Sequence, residues 1–588
     1  MKKLIILPFI FLFQLVTANI LDYTRFHTPA EVDAALTTFA SMYPSLARVV
    51  ILGNSLEGRP IKALKISNNP AVNDPAKGDI VYVSLHHARE WISVEMALYL
   101  ADELLARYST DAVLQAEMNN LQIWIIPVVN PDGYQYTQTS ANRYWRKNRR
   151  NNGDGTFGVD LNRNWGYQWG LLSGSSASTS NDTYHGTGPF SEPELVVLRN
   201  FINGLTNFKS FVSYHSFSEL YLRPWSYTTS NPPGETTLQS IVQRNISRIA
   251  AVHSHTYAET IGYTSAGEAT DYIWQEKRVA GFTPELRPSA AGVGGFDPPP
   301  SEIIPCCEEN YAAARALIHD AAITGLWIKD NPWDTGAEPS TGEFWISPDI
   351  WTDPVDLVEG TTVTLHIRVR NSTTATQNNV RVAAYYTDPR IALEFPSTTS
   401  TLIGTQNISV PVGASEITMP WTVPSGRNSW GELHWCVGVV IKQEDDMPLT
   451  TLINRTSNIA CRNFDTREAI SGMTLTVAAT NFLTIAAELQ LNFSHTKLPA
   501  GWRYEVMQNA IKRDKESNPG TLRKGKLLHT KGILLEPGET IQIPLKVYFD
   551  RPSATPVDLK IQGDLIPMVA GKRDVLSNGY SFQLKPGN

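Results

Sequence analysis

Two adjacent histidines end an apolar run in the stretch VYVSLHHAREWIS, residues 81–93. Glu90 follows within one helical turn, and His215 ends a second apolar run in SYHSFS. Two imidazoles and one carboxylate are the protein ligands of many catalytic zinc sites, in which a water takes the fourth position. The spacing H-x-x-E recurs often by chance, and either His86 or His87 could be the ligand. These residues therefore predict a metal site only if the fold brings them together.

The elements around these histidines predict an α/β domain. DIVYVSL, LQIWIIPVV and FKSFVSYHS are continuous apolar runs, as in strands buried on both faces. Amphipathic helices alternate with them, which indicates a mixed, mostly parallel sheet flanked by helices. Ligand sites in such sheets lie beyond the carboxyl ends of the strands, where His87 and His215 are expected. Capping boxes are predicted at Thr28–Glu31 and Ser191–Glu194.

The N-terminus predicts export. Lys2 and Lys3 precede an apolar run that ends at Val16, and Ala18 provides a small residue for cleavage. Residues 1–18 therefore read as a signal peptide, and the mature protein is expected to be secreted, extracellular or periplasmic. No later segment is apolar enough to predict a membrane span. The net charge of −7 over 588 residues argues against nucleic acid as a partner, despite the basic run RYWRKNRR.

The chain is long enough for several domains. We assign residues 19–328 to the α/β domain with the candidate metal site, and 329–343, rich in Pro, Gly and acids, to a linker. Beyond the linker the pattern contains strands only. It predicts an immunoglobulin-like β-sandwich at 344–465 and a second β-sandwich at 466–588. No motif assigns them a ligand, so a polymer or a cell surface is a possible partner.

Eight ordered blocks connect the α/β region to a known family: HHAREWIS, NPDGY, NRYWRKNRR, GVDLNRNW, TYHGTGPFSEPE, SYHSFSEL, FTPELRP and SEIIP. From Leu21 to Gly325 the chain resembles the M14 zinc metallocarboxypeptidases of the carboxypeptidase A and B type. The resemblance implies the zinc carboxypeptidase fold and one Zn²⁺ per chain. It selects His87 as the ligand, together with Glu90 and His215, and leaves His86 to packing or to support of the ligands.

The same resemblance implies roles for further residues. Glu285 in FTPELRP matches the carboxylate that acts as general base when zinc-bound water attacks the peptide. Arg146 matches the arginine that faces the scissile carbonyl. Asn162 and Arg163 match the pair that binds the substrate's terminal carboxylate. Tyr263 matches a mobile tyrosine that closes over the site, although its local match is looser.

Specificity is expected from the segment between Tyr263 and FTPELRP. The alignment places Thr270 at the position where family members carry an apolar residue for aromatic ends or an Asp for basic ends. A small Thr270 admits large apolar side chains, and Glu268 can pair with Lys or Arg. We therefore expect broad or dual specificity, with Arg89 and Arg143 extending the positive lining.

The leading interpretation is a secreted zinc exopeptidase that acts on peptides and proteins with a free C-terminus. Cleavage near Ala18 would leave no room for the pro-domain of pancreatic relatives, so we expect activity on export. One alternative is a cell-wall peptide amidohydrolase on the same scaffold, which Asn162, Arg163 and Tyr263 argue against. Another is a binding protein built on an inactive peptidase, which would require the loss of a zinc ligand or of Glu285.

Overall fold

The structure is a computed structural model. It describes residues 19–588 except for 233–234, 262–263, 323–324, 332–333, 335–344, 354–356, 374, 389–393, 398, 426–434, 444–446, 451–457, 465, 469–472, 481–486, 496–502, 507–511, 514–532, 536–538, 549–556, 568–575 and 586–588. The predicted signal peptide, Tyr263 and most of the predicted linker therefore lie outside the described residues.

An eight-stranded sheet forms the centre of the α/β domain. Its strands are β1 (Ala47–Asn54), β2 (Pro60–Ile66), β3 (Gly78–Ser84), β4 (Leu121–Ile126), β5 (Phe208–Ser216), β6 (Leu220–Leu222), β7 (Ala258–Thr260) and β8 (Ala280–Leu286). They lie in the order β1-β2-β4-β3-β5-β8-β6-β7. The central strands β4, β3, β5 and β8 are mutually parallel, whereas β2 pairs antiparallel with β1 and β4. This confirms the predicted mixed, mostly parallel sheet.

Helices cover both faces of this sheet. They are α1 (Pro29–Met42), α2 (Trp91–Arg107), α3 (Ala112–Asn120), α4 (Pro131–Tyr136), α5 (Pro193–Asn203), α6 (Glu235–His253), α7 (Ala269–Lys277) and α8 (Ile303–Ala322). Ile80 and Tyr82 of β3 pack in one core with α2 and α8, and Val81 and Val83 pack in the opposite core with α5 and α7. Burial on both faces explains why β3 reads as a continuous apolar run.

The two predicted capping boxes have different outcomes. At α1, the Thr28 side chain accepts from the Glu31 backbone N–H, and the Glu31 carboxylate accepts from the Thr28 N–H at 2.8 Å. At α5 the N-cap is Glu192, and Ser191 donates its hydroxyl to the Glu192 carboxylate at 2.8 Å instead. Pro193 takes the first helical position, so the helix begins one residue later than the predicted box requires.

The first β domain, residues 326–464, consists of two facing sheets. One contains β9 (Leu326–Trp327), β10 (Ile350–Asp353), β11 (Thr362–Asn371) and β14 (Gly413–Thr422); the other contains β12 (Gln377–Thr387), β13 (Thr401–Val410), β15 (Trp435–Lys442) and β16 (Ile459–Phe464). Alternate residues of both sheets form one buried core. Because β9 pairs with β11, the strand just before the proposed boundary at residue 328 belongs to this domain.

The second β domain, residues 466–585, is also built from strands. One sheet contains β17 (Thr466–Glu468), β19 (Ala487–His495), β22 (Ile533–Leu535), β24 (Val557–Pro567) and β25 (Leu576–Lys585). The other contains β18 (Met473–Thr480), β20 (Arg503–Val506), β21 (Lys512–Arg513) and β23 (Thr540–Tyr548). The prediction of all-β architecture after the catalytic domain is confirmed. Within the described part of the chain, no helix combines the length and apolar character needed to cross a bilayer.

Candidate active site

Three predicted metal ligands meet at the carboxyl ends of β3 and β5. His87 follows β3, Glu90 lies at the N-cap of α2, and His215 is near the end of β5. His87 Nδ1 lies 2.8 Å from Glu90 Oε1, and His215 Nδ1 lies 3.0 Å from Glu90 Oε2. The two Nδ1 atoms are 3.0 Å apart. All three residues are buried and converge on one point, as expected of a cation site.

The far side of each imidazole has its own partner. His87 Nε2 lies 3.1 Å from Asp160 Oδ1, and His215 Nε2 lies 3.1 Å from the Ser213 hydroxyl. Such partners fix the ring orientation and tautomer of metal-binding histidines. His86 also contacts Ser213, at 3.2 Å through Nδ1, and is not part of the converging group. The choice of His87 over His86 is therefore consistent with the geometry.

The charges of the group suit a metal ligand set. Burial lowers the pKa of His215, so its imidazole is neutral at pH 7. Burial alone would raise the pKa of Glu90, but His87 and His215 outweigh it and lower the pKa. A neutral imidazole and an ionised carboxylate are the forms that bind metal. Two nitrogens and one carboxylate fit Zn²⁺, and they would hold it at this convergence.

Glu285 lies beside this group because β5 and β8 are neighbours. His215 and Glu285 are direct partners in the parallel register of the two strands. Glu285 is partly exposed to the cavity in front of the three ligands. Burial, Glu90 and Glu268 together raise the pKa of Glu285 well above its usual range. A carboxyl group of raised basicity at this position is suited to accept and return a proton.

Asp160 is a site residue that the sequence analysis missed. Its Oδ2 accepts from Nε and Nη2 of Arg146 at 2.9 and 2.8 Å, while Oδ1 faces His87. One buried carboxylate thus orients both a metal ligand and the arginine assigned to the carbonyl. Burial would lower the pKa of Arg146, but Asp160 and Glu90 raise it, so the guanidinium is charged.

Asn162 and Arg163 follow Asp160 and connect the site to α7. The Asn162 Oδ1 accepts from the first backbone N–H of α7, at 3.1 Å. Arg163 donates through Nε to the Gly174 carbonyl at 2.7 Å and through Nη1 to Glu268 Oε1 at 3.1 Å. Glu268 therefore directly contacts Arg163, one of the two residues predicted to bind the substrate's terminal carboxylate. Residue types and spacing did not predict this contact.

The cavity has a volume of about 390 Å³. Its lining includes most of the predicted site: His87, Arg89, Glu90, Arg146, Asn162, Arg163, Glu268 and Glu285. Among the described residues, three predicted site residues are not in this lining: His215, which lies behind it at the metal ligand group, Arg143 and Thr270. Arg143 instead stacks over the Trp91 ring and donates to the carbonyls of Arg89 and Phe296. Thr270 is buried in the first turn of α7.

The chain is similar in sequence to known zinc carboxypeptidases. A zinc carboxypeptidase family model matches residues 32–313. Carboxypeptidase A2 of Rattus norvegicus is 31% identical over 53% of this chain and 72% of its own length. Carboxypeptidase B of Astacus astacus is 34% identical over 50% of this chain and 97% of its own. The solved carboxypeptidase A from Helicoverpa armigera is 33% identical, covering 51% of this chain and 75% of that one, with a TM-score of 0.46.

The family model covers the strands, helices and loops that bring the three ligands, Asp160 and Glu285 together. The family binds zinc, and zinc is also the metal that suits the converging donors His87, Glu90 and His215. The chain belongs to the zinc carboxypeptidase family and is a metallopeptidase of the carboxypeptidase type.

Proposed function

We propose that this protein is a secreted exopeptidase that hydrolyses the C-terminal peptide bond of peptides and proteins, with Glu285 as general base. The observation that carries the proposal is the placement of Glu285 beside His215 on the neighbouring strand, facing the cavity that Arg146, Asn162 and Arg163 also line. Exopeptidase chemistry requires a general base, a positive charge near the scissile carbonyl and groups that bind the terminal carboxylate. Glu285, Arg146 and the pair Asn162 and Arg163 are candidates for these three parts.

Each residue has a physical role in the proposed reaction. Bound zinc would supply Lewis acidity and lower the pKa of a water ligand towards neutrality. Glu285 accepts a proton in the cavity and returns it to the leaving amine, as general base and then general acid. The charged Arg146, held by Asp160, stabilises negative charge that develops on the scissile carbonyl oxygen, a contribution often worth about 3–4 kcal/mol.

Recognition of a free C-terminus is assigned to Asn162 and Arg163. A planar guanidinium can donate two hydrogen bonds to a carboxylate, and burial strengthens the interaction. Both residues line the cavity and are almost fully buried. An internal peptide bond presents no such carboxylate, so this pair restricts cleavage to chain ends. Tyr263, outside the described residues, is assigned by resemblance to close over the bound substrate.

Broad or dual specificity is proposed from Glu268 and Thr270. The Glu268 side chain lines the cavity, and its Oε1 accepts a hydrogen bond from Arg163. Its Oε2 is buried and has no hydrogen-bond partner among the described residues. A Lys or Arg side chain of the substrate would satisfy that oxygen. Thr270 is small, and its buried hydroxyl likewise lacks a partner in the described part of the chain. The assignment of Thr270 to apolar substrate side chains rests on the resemblance, because Thr270 itself lies outside the described lining of the cavity.

Replacing Glu268 by Gln tests this specificity. We expect kcat/KM for peptides ending in Lys or Arg to fall about 10-fold or more relative to peptides ending in Phe or Leu, because a buried charge pair is lost. Kinetics on matched peptides that differ only in the last residue measure the ratio. Since Glu268 also contacts Arg163, both classes of peptide will lose some activity; an unchanged ratio between them would contradict the proposal.

Replacing Glu285 by Gln tests the proposed base. We expect zinc content to stay at one per chain while kcat falls about 10²–10⁴-fold, because the amide cannot accept the proton. Metal analysis and a peptide assay on the same preparation provide both values. Glu308→Gln is the matched control, since Glu308 pairs with His253 at the protein surface and does not line the cavity. Retained turnover in Glu285→Gln would exclude Glu285 as the base.

A further inference from the structure

The first β domain contacts the catalytic domain where α7 passes into β8. Arg278 is the C-cap of α7 and has a left-handed backbone conformation, with φ of 52°. Its Nη1 donates to the carbonyls of Trp274 and Gln275, at 2.9 and 2.7 Å. Its Nε donates to Glu394 of the first β domain. Both charged side chains are buried, so the β domain neutralises a cation that ends a helix of the catalytic domain.

A second contact extends the central sheet. The Ala280 N–H donates to the Leu449 carbonyl at 2.8 Å, and Val279 and Thr450 form an antiparallel bridge. β5 lies along one edge of β8, and β6 lies along the other edge only at residues 283–285. The segment 447–450 of the β domain therefore pairs with the start of β8, which β6 does not reach.

The same segment is fixed to the core of the catalytic domain. Leu449 is buried in the apolar core that contains α2, α6 and α8, and Met447 packs against that core. The Met447 N–H donates to Asp320 of α8 at 3.3 Å, and Asp320 is itself bound to Arg244 of α6. The contact thus combines apolar burial, an ion pair and sheet pairing.

Both ends of the α7–β8 unit, residues 268–286, line the active site. Glu268 at the N-cap of α7 holds Arg163, and Glu285 near the end of β8 faces the metal ligands. Between them lies the turn at Arg278 and Val279, where the first β domain is attached. A shift of that turn moves a rigid helix and strand, and catalytic geometry tolerates displacements of about 1 Å poorly.

We propose that the first β domain is a positioning element of the peptidase. Through Glu394 and the segment 447–450 it holds the α7–β8 turn, and through this turn it sets the positions of Glu268 and Glu285. This inference rests on the proposed function for the role of Glu285. It assigns to Glu394 and Arg278 a positioning role, because neither lines the catalytic cavity among the described residues.

The test compares Glu394→Gln with Glu416→Gln in the full-length, zinc-loaded protein. Glu416 belongs to the same domain, but it is exposed and pairs with His366 and Arg368 on the surface. For Glu394→Gln we expect kcat at 15 °C to fall about 10-fold, with one zinc retained, and the Tm to fall by roughly 5–10 °C. For Glu416→Gln we expect both values to match the wild type, as for most surface pairs.

Hydrogen exchange gives a readout that is independent of catalysis. Amides in residues 280–286 are expected to exchange faster in Glu394→Gln than in the wild type or in Glu416→Gln. If the wild type fails to trim peptides, the proposed function fails, and exchange still decides this inference. A lower Tm with unchanged kcat and unchanged exchange in β8 would show a stabilising domain only and would overturn it.

Glu394→Asp serves if Glu394→Gln does not fold. The carboxylate is kept but shortened by one methylene, so we expect a stable protein with an intermediate fall in kcat, of about 3-fold. Wild-type kcat and wild-type exchange in this variant would also overturn the inference.

Discussion

Two buried glutamates at the start of α2 each bind histidine, but they build different structures. Glu95 gives both oxygens to a single residue: Oε1 accepts from the His27 N–H and Oε2 contacts His27 Nδ1, each at 2.7 Å. Glu90, five residues earlier, divides its oxygens between His87 and His215. A histidine next to a carboxylate is therefore not enough to indicate a metal site; convergence of two imidazoles on one carboxylate is the distinguishing feature.

The pKa shifts of the histidines in the two regions also have opposite directions. Burial lowers the pKa of His27, but the hydrogen bond and charge of Glu95 outweigh it, so the net pKa is raised. At His215 burial prevails, and the pKa is lowered. Glu95 therefore favours the protonated form of His27 in a closed internal contact, whereas burial favours the neutral form of His215, which can bind a cation. The second region borders a cavity, which His87 and Glu90 line.

The largest expected effect separates the two glutamates directly. Loss of a residue that only supports a metal ligand lowers metal affinity roughly 10–100-fold. Because Glu90 is itself a ligand, Glu90→Gln is expected to lower zinc affinity by more than this and to abolish turnover. Glu95→Gln is expected to keep one zinc and nearly wild-type kcat, while stability falls by about 1–3 kcal/mol. Zinc titration against a chelator and thermal unfolding measure these effects. Zinc loss in Glu95→Gln would remove the distinction.

A smaller effect is expected from Asp160, which serves the metal region without binding the metal. Asp160→Asn is expected to lower zinc affinity and kcat each by about 10–100-fold, because His87 and Arg146 lose their common partner. Asp132→Asn is a suitable control, since Asp132 is equally buried but bonds to Ser55 and Arg59 away from the cavity. Equal effects of the two substitutions on zinc affinity would contradict a role for Asp160 in the site.

The smallest effect concerns the pH dependence of stability at His27. Its folded pKa is raised above the unfolded value near 6.5, so its contribution is complete below that value and is lost as pH rises through the folded pKa. The Tm difference between the wild type and His27→Gln is expected to be about 2–5 °C larger at pH 6 than at pH 8.5. Both proteins have the same zinc site, so its contribution to the pH dependence of the Tm cancels in the difference. A difference that grows with pH would reverse the sign of the His27–Glu95 interaction.

Local sequence patterns predicted much of the fold. The run DIVYVSL predicted a strand buried on both faces, and β3 packs against helices on each side. The Thr28 capping box formed as predicted, whereas Pro193 at the first position of α5 displaced the box predicted at Ser191. The contact of residues 447–450 with β8 had no local signal, because pairing between segments that are about 170 residues apart depends on tertiary packing.

The site was predictable where function fixes residue type and spacing. His87, Glu90 and His215 were found from the ends of apolar runs and from the ordered family blocks, and the three residues converge. Asp160 was missed because in GVDLNRNW it reads as the cap of a turn; its side chain does accept from the Asn162 N–H, in addition to its contacts with His87 and Arg146. When a local hydrogen bond already explains why a residue type occurs at a position, the sequence gives no sign that the residue also has contacts far away in the chain.

In the proposed function, a zinc-dependent site removes residues from free C-termini. The most direct test is a mass-spectrometric time course on a mixed peptide pool, in which each peptide is paired with its C-terminally amidated form, with and without a zinc chelator. We expect stepwise, chelator-sensitive shortening of the free peptides from the C-terminus, and no shortening of the amidated ones. Equal cleavage of both forms, or internal cuts, would contradict recognition of the terminal carboxylate by Asn162 and Arg163.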